Sequence, residues 1–217
     1  MRKNGLKNTC CLIILLLVTG TVLTAQDVEN DFQTRTSATF SYKPVKNIKL
    51  YLTPELRFDN NFSLDEYLIE SEVAYKPINF LSLGASYRFI GNTRESKDTE
   101  YLHRYALSAT LEKEFNRFEP AFRICYSNYA DDESDSEFMR YKASVKYDIP
   151  KSKITPFVGA EAFQQLTDSE LYKMRYTVGM NYKLFKKNYL GLSYKLDYYL
   201  NEYKNRHILS VGYKIKF

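Results

Sequence analysis

Few side chains in this sequence are equipped for nucleophilic or acid–base chemistry. The candidates are His103 and His207, with Ser210 near the second histidine. A general base must lie within hydrogen-bond reach of the group it activates. In "YLHRYALSATL" His103 alternates with Tyr105, Leu107 and Ala109, so it lies on an apolar face. In "HILSVGYKIKF" His207 shares its face with Leu209 and Val211, while Ser210 points the other way. Extended backbone places successive side chains on opposite faces, so His207 and Ser210 cannot meet. The two histidines read as interfacial side chains at a polar rim. A sharper alternative is a lipid-modifying, deacylase-like enzyme that uses one of them. Enzymatic activity is left uncertain, with no activity the favoured reading, and no residue is assigned as catalytic.

Metal chemistry has less support. Two separated histidines and one cysteine give no zinc spacing. "ADDESDSE" carries five acids from Asp131 to Glu137 but lacks the glycine and spacing of a calcium loop. It reads as a solvated loop, with divalent-ion bridging to lipopolysaccharide as the alternative. No metal or cofactor is expected.

Charge in the polar phase of the chain is far more abundant. Glu55, Arg57, Glu70, Glu72, Arg88, Arg104, Glu119, Arg123, Arg140, Glu161, Arg175, Asp197 and Arg206 all lie at mid-segment positions opposite apolar residues. Acids and arginines are nearly matched between neighbouring segments: Glu55 and Arg57 beside Glu70 and Glu72, Arg88 beside Arg104, and Glu119 and Arg123 beside Arg140. Unpaired buried charge is expensive. The set is therefore expected to form a hydrogen-bonded network that plugs an interior, with a narrow water-filled pore as the functional alternative. Glycines 84, 159, 179, 191 and 212 share this phase and would open local space.

The elements that hold these charges are strands. Eleven alternating segments follow one another: Phe32–Lys43, Ile48–Asp59, Tyr67–Lys76, Leu81–Ile90, Leu102–Lys113, Phe118–Tyr129, Phe138–Asp148, Ile154–Phe163, Leu171–Tyr182, Tyr189–Leu200 and Arg206–Phe217. Each has the length of a tilted transmembrane strand or slightly more. Tight or basic turns ("PVKN", "PIN", "EFNR", "IPKSK", "KLFKKN") alternate with more polar, mostly longer loops. Tyr42, Tyr75, Phe115, Tyr147, Tyr182 and Tyr213 recur near the turns at spacings of 33, 40, 32, 35 and 31 residues, all in the apolar phase. Aromatic rings gather in this way at a membrane interface. A looser set, Tyr101, Tyr126, Tyr129, Tyr172 and Tyr198, suggests a second girdle at the other end. The fold expected is all-β: one antiparallel up-and-down transmembrane barrel of 10–12 strands. An even closure at ten or twelve is favoured over eleven. Bulges are expected at Pro54, Pro120 and Pro156, because proline removes a ladder donor.

The N-terminal 25 residues differ from the rest. Arg2, Lys3 and Lys7 precede the apolar run "CLIILLLV", and Ala25 offers a cleavage point, the pattern of a signal peptide. The domains expected are a signal peptide at 1–25 and the barrel at 26–217. Removing three basic residues from 31 leaves 28 against 26 acidic ones, a formal charge of +2, with no concentrated basic face for nucleic acid. Only Cys125 would remain, so no intrachain disulfide is expected.

The ordered segments "TPELRFDNN", "LSLGASYRFIGN", "YLHRYALSATL", "FMRYKASVKYDIP", "TPFVGAEAF", "KMRYTVGMNYKL" and "LGLSYKLDYYLN" are similar to the Gram-negative outer-membrane family called domain of unknown function 2490. The resemblance runs from about Asp31 to Phe217. It departs from the family at the first strand, where Phe32 and Thr36 stand in a region in which members often carry tryptophan. The resemblance implies an outer-membrane location and supplies no activity. The expected role is structural or that of a narrow pore; an adhesion or complex-forming subunit acting through its loops is a third class. Expected partners are outer-membrane lipids and, during biogenesis, periplasmic chaperones and the barrel assembly machinery. Phe217 is the candidate assembly signal.

Overall fold

The structure, a computed structural model, describes residues 29–93, 98–129, 136–200 and 204–217. The segment expected to be a signal peptide lies outside them, as do residues 131–135 of the acidic loop. Eleven strands follow in order: β1 (Glu29–Val45), β2 (Ile48–Phe58), β3 (Leu64–Ile78), β4 (Leu81–Asn92), β5 (Glu100–Glu112), β6 (Phe118–Ser127), β7 (Phe138–Tyr147), β8 (Ile154–Gln165), β9 (Leu171–Phe185), β10 (Asn188–Tyr199) and β11 (Lys204–Lys216). Each of the eleven expected segments is one of these strands. There is no helix among the described residues.

Each strand pairs with its chain neighbours, and β1 pairs with β11 to close the barrel. Closure occurs at eleven strands, which corrects the preference for ten or twelve. An odd count leaves the first and last strands pointing the same way. The seam is therefore parallel, running in unbroken register from Glu29↔Lys204 to Ser41↔Lys216. Parallel pairing costs the ladder little, since its bonds are evenly spaced though slanted. Arg206 Nε, 2.7 Å from Asp31 Oδ2, adds an ion pair across the seam.

The expected bulges at the prolines are absent. Pro54, Pro120 and Pro156 keep regular register with Ile69, Val145 and Met180. Each is tolerated because its other neighbour leaves a gap. The β1–β2 ladder skips Ala38 and Pro54, where the Thr53 and Thr39 hydroxyls bond at 3.2 Å instead. Registered pairing with the second neighbour ends at Glu112↔Ala121 beside Pro120, and at Lys146↔Phe157 beside Pro156. No donor is missed at these places.

Alternation sorts the side chains. On β9, Lys173 and Arg175 are buried, whereas Tyr176, Val178 and Met180 are 49%, 52% and 43% exposed on the outer wall. The same apolar exterior continues through Leu52, Leu83, Leu107, Val158 and Leu192. A soluble barrel hides its apolar face inside; this one turns it outward and keeps its charge within, the arrangement of a transmembrane barrel.

Gly179 shows how closely the inner wall is packed. A Cβ there would lie 2.7 Å from the Leu192 carbonyl oxygen and 2.6 Å from the Phe157 ring. Backbone cannot yield as a flexible side chain would. Gly179→Ala is expected to cost about 1–3 kcal/mol through overpacking, read as a lower urea midpoint for the refolded barrel in micelles. An unchanged midpoint would show that the wall relaxes freely.

Candidate functional site

The lumen has two unlike halves. In the half nearer the polar loops every strand contributes buried side chains. Arg35, Arg57, Glu66, Asn92, Arg104, Ser127, Arg140, Glu161, Lys173, Arg175 and Asp197 are all under 10% exposed, and Ile208 of β11 is fully buried among them. Ion pairs hold these buried side chains together. Arg175 grips Asp197 in a bidentate pair at 2.5 and 2.6 Å, and Lys173 Nζ adds a contact at 3.2 Å. Glu161 Oε1 accepts from Arg140 at 2.9 and 3.0 Å and from Arg123 at 3.0 Å. Arg57 bonds Glu55 at 2.8 Å and Glu66 at 2.7 Å, and Arg88 bonds Glu70 at 2.6 and 2.8 Å.

All thirteen charges expected in the interior lie in the lumen phase of their strands, but several partners differ from the expected ones. Glu66, not Glu70 or Glu72, takes Arg57, because the β2–β3 register sets Arg57 against Glu66. Arg88 and Arg104 do face each other. Like charges in register are kept apart by their partners: Arg88 turns to Glu70, while Arg104 donates to the Asn128 carbonyl at 3.3 Å. Arg140 reaches Glu161 on the next strand, and Glu119 pairs with Lys146.

Aromatic rings pack among these charges. Phe138 and Phe163 are fully buried, with Tyr172 packed against them. The Arg140, Lys173 and Arg175 cations lie 4.6, 4.9 and 5.2 Å from the Phe163 ring centre, a geometry that offsets part of their desolvation. Tyr129, 3% exposed, sits beneath Arg88 and Arg140. Tyr129 and Tyr172 therefore do not belong to an outer girdle. Tyr129 lies past the end of β6, where alternation no longer applies. Tyr172 lies at the register shift between Phe163 and Gln164, which turns it inward. Tyr101 and Tyr198 keep the outward position, 57% and 47% exposed.

The half nearer the turns is roomy. Small inward residues, among them Thr39, Gly84, Ser108, Ser144, Gly191 and Gly212, leave space along its wall. A cavity of about 470 Å³ is lined by Thr39, Lys146, Thr155, Asn181, Tyr189, Lys214 and Lys216. Lys49 and Lys76 face the same half. These lysines share it with Glu112 and Glu119, and Glu72 lies deeper. A smaller cavity of about 90 Å³ lies at mid-lumen between Glu70, Glu72, Arg123 and Tyr129. These lysines lie at strand ends, outside the mid-strand charge that dominates the sequence pattern. The signal that marks them is the run of small inward residues beside them.

On the exterior, Tyr42, Tyr75, Phe115 and Tyr182 are exposed near the turns, with Tyr147 and Tyr213 partly covered at the same end. Tyr182, Leu190 and Tyr213 stand side by side across three strands. Phe217 is 62% exposed, and its N–H donates to the Ser41 carbonyl at 2.8 Å. The histidines are not brought together: β5 and β11 are not neighbours. Each meets a tyrosine instead. His103 Nδ1 lies 2.6 Å from the Tyr87 hydroxyl, and His207 Nδ1 2.5 Å from that of Tyr194. His207 also stacks on Phe32, with ring centres 4.7 Å apart. The two tyrosines occur in matching stretches, "LGASYR" (Leu83–Arg88) and "LGLSYK" (Leu190–Lys195). Glu137, at the edge of the acidic loop, accepts the Tyr126 hydroxyl at 2.8 Å.

A family model described as "Protein of unknown function (DUF2490)" matches residues 32–208. No curated protein matches the chain. A solved structure named "KdgM porin" is similar in fold, with a TM-score of 0.48 and 13% identity over 76% of this chain and 89% of that one.

Proposed function

We propose that this chain, which belongs to the DUF2490 family, is an outer-membrane barrel forming a narrow, anion-favouring pore whose resting state is closed at the external end. The observation that carries this reading is the contrast between the two halves of the lumen. Arginines, acids and aromatic rings fill one half, and lysines beside small residues line the other. Short turns mark the periplasmic side of such barrels and longer loops the external side, so the plug faces outward and the lysine chamber faces the periplasm. Low-dielectric walls carrying one sign of charge concentrate counter-ions, and a charged lining sets ion selectivity. Outer-membrane lipids contact the apolar wall, and the assembly machinery and periplasmic chaperones act during biogenesis.

Planar-bilayer recording tests this reading. Wild-type protein is expected to stay closed, with rare small openings whose reversal potential in a salt gradient shows anion preference. Arg140→Ser leaves Glu161 paired with Arg123 and clears space above Tyr129, so openings should become frequent. Large steady openings in the wild type, or cation preference, would contradict the proposal.

The recurring Tyr–His pairs favour a second reading, a lipid-modifying site at the external rim. It predicts altered lipid A or phospholipid masses when the protein is present, and unchanged masses would remove it.

A further inference from the structure

We infer that the lysine chamber is a binding site for a compact multivalent oxyanion of the phosphate class, held by Lys214 and Lys216 with Lys49 and Lys146 around it. The inference deepens the pore reading, since it gives a permeating anion a place to dwell.

Lys214 sits in register between Thr39 of β1 and Tyr189 of β10, facing the lumen. Its ammonium lies 5.0 Å from the Tyr51 ring centre, and that of Lys216 lies 4.3 Å from the Tyr189 ring centre. The lysines are thus oriented by aromatic faces, which leave their charge in place, rather than by carboxylates, which would neutralise it. Among the described residues no carboxylate lies within ion-pair distance of Lys49, Lys214 or Lys216. Of the acids at this level, Glu112 is engaged by Lys76 at 3.2 Å and Lys146 at 3.8 Å, and Glu119 by Lys146; Glu114 and Asp148 line the adjoining cavity on the far side of Lys146 and Thr155. Lys214 lies within electrostatic range of Lys216, Lys49 and Lys146 at once, with Glu72 the facing acid. Converging like charge without matched counter-charge is a cost that a bound anion relieves.

The residue types narrow the ligand. Arginine offers a flat fork suited to planar carboxylates, while lysine is a compact point charge that binds phosphate by number and position. This chamber holds lysines; the arginines lie in the plug. Thr39, Thr155 and Asn181 supply neutral hydrogen-bonding groups on the same wall, and a cavity of about 470 Å³ leaves room for an ester group beyond the phosphate.

The test is calorimetric titration of the whole barrel, refolded in non-ionic detergent, with inorganic diphosphate as the probe. Saturable binding is expected, weakened about tenfold or more in the double variant Lys214→Gln/Lys216→Gln, since each lysine supplies a charge-assisted contact. The variant must keep the wild-type heat-modifiable gel migration. Lys186→Gln, in a turn outside the chamber, should bind as the wild type does. Should the double variant misfold, Lys214→Arg/Lys216→Arg keeps the charge and changes its geometry; it is expected to bind diphosphate more weakly and citrate more tightly. Undetectable binding, or equal binding by the folded double variant, overturns the site. The pore reading fails separately: a barrel that binds diphosphate yet never conducts keeps the site and loses the pore, and a conducting barrel that binds no diphosphate does the reverse.

Discussion

Asp197→Ala is expected to destabilise the barrel by about 3–5 kcal/mol, the cost of breaking a buried ion pair from one side. Asp197 is fully buried, and so is Lys173. Its carboxylate is the acceptor for both oxygen-directed contacts of Arg175 and for Lys173. Removing it leaves two buried cations close together beside Phe163 without the carboxylate they share. The loss should appear as a lower midpoint in urea unfolding from micelles or liposomes. Two comparisons give the number meaning. Asp197→Asn keeps the shape and part of the hydrogen bonding, so it should cost less. Adding Lys173→Met to Asp197→Ala removes one of the two buried cations and should restore part of the loss. If Asp197→Ala is silent, the plug is hydrated and the closed external half is wrong.

The second large effect concerns the wall. Leu107 is 58% exposed at the middle of β5, and Ser108 is its inward neighbour beside the mid-lumen cavity that Glu70 and Glu72 line. A lysine at a lipid-facing midplane position costs about 2–4 kcal/mol. Leu107→Lys should therefore fold poorly into bilayers, while Ser108→Lys, one residue away and beside carboxylates, should stay within about 1 kcal/mol of wild type. Folding yield into liposomes and the urea midpoint both read the difference. Equal penalties, or a reversed order, would mean that the apolar phase does not face lipid.

Much of this architecture is legible in the chain. Period-two alternation gives the strands and places thirteen charges inside, because a membrane barrel sharpens the contrast between its faces. The basic short turns and polar loops give the strand direction. What alternation does not carry is register between strands. Arg57 meets Glu66 rather than Glu70 because the stagger of the closed sheet, and not spacing along the chain, chooses partners. Tyr129 and Tyr172 are misread for a related reason: one lies beyond a strand end and the other at a register shift, so phase says nothing about them. The parallel seam is also hidden, since nothing local in β1 or β11 announces which edge each will meet. The lysine chamber is missed because its lysines lie at the strand ends near the turns, where basic residues read as interfacial.

The most direct test of a barrel closed outside and open inside is directional labelling at Thr39, which lines the lysine chamber. In a Cys125→Ala background, Thr39→Cys is exposed to a polar maleimide too large for general porins. Labelling is expected only after the outer membrane is permeabilised, when the reagent reaches the chamber from the periplasm. Equal labelling of intact cells would show a lumen open to the outside and contradict the account.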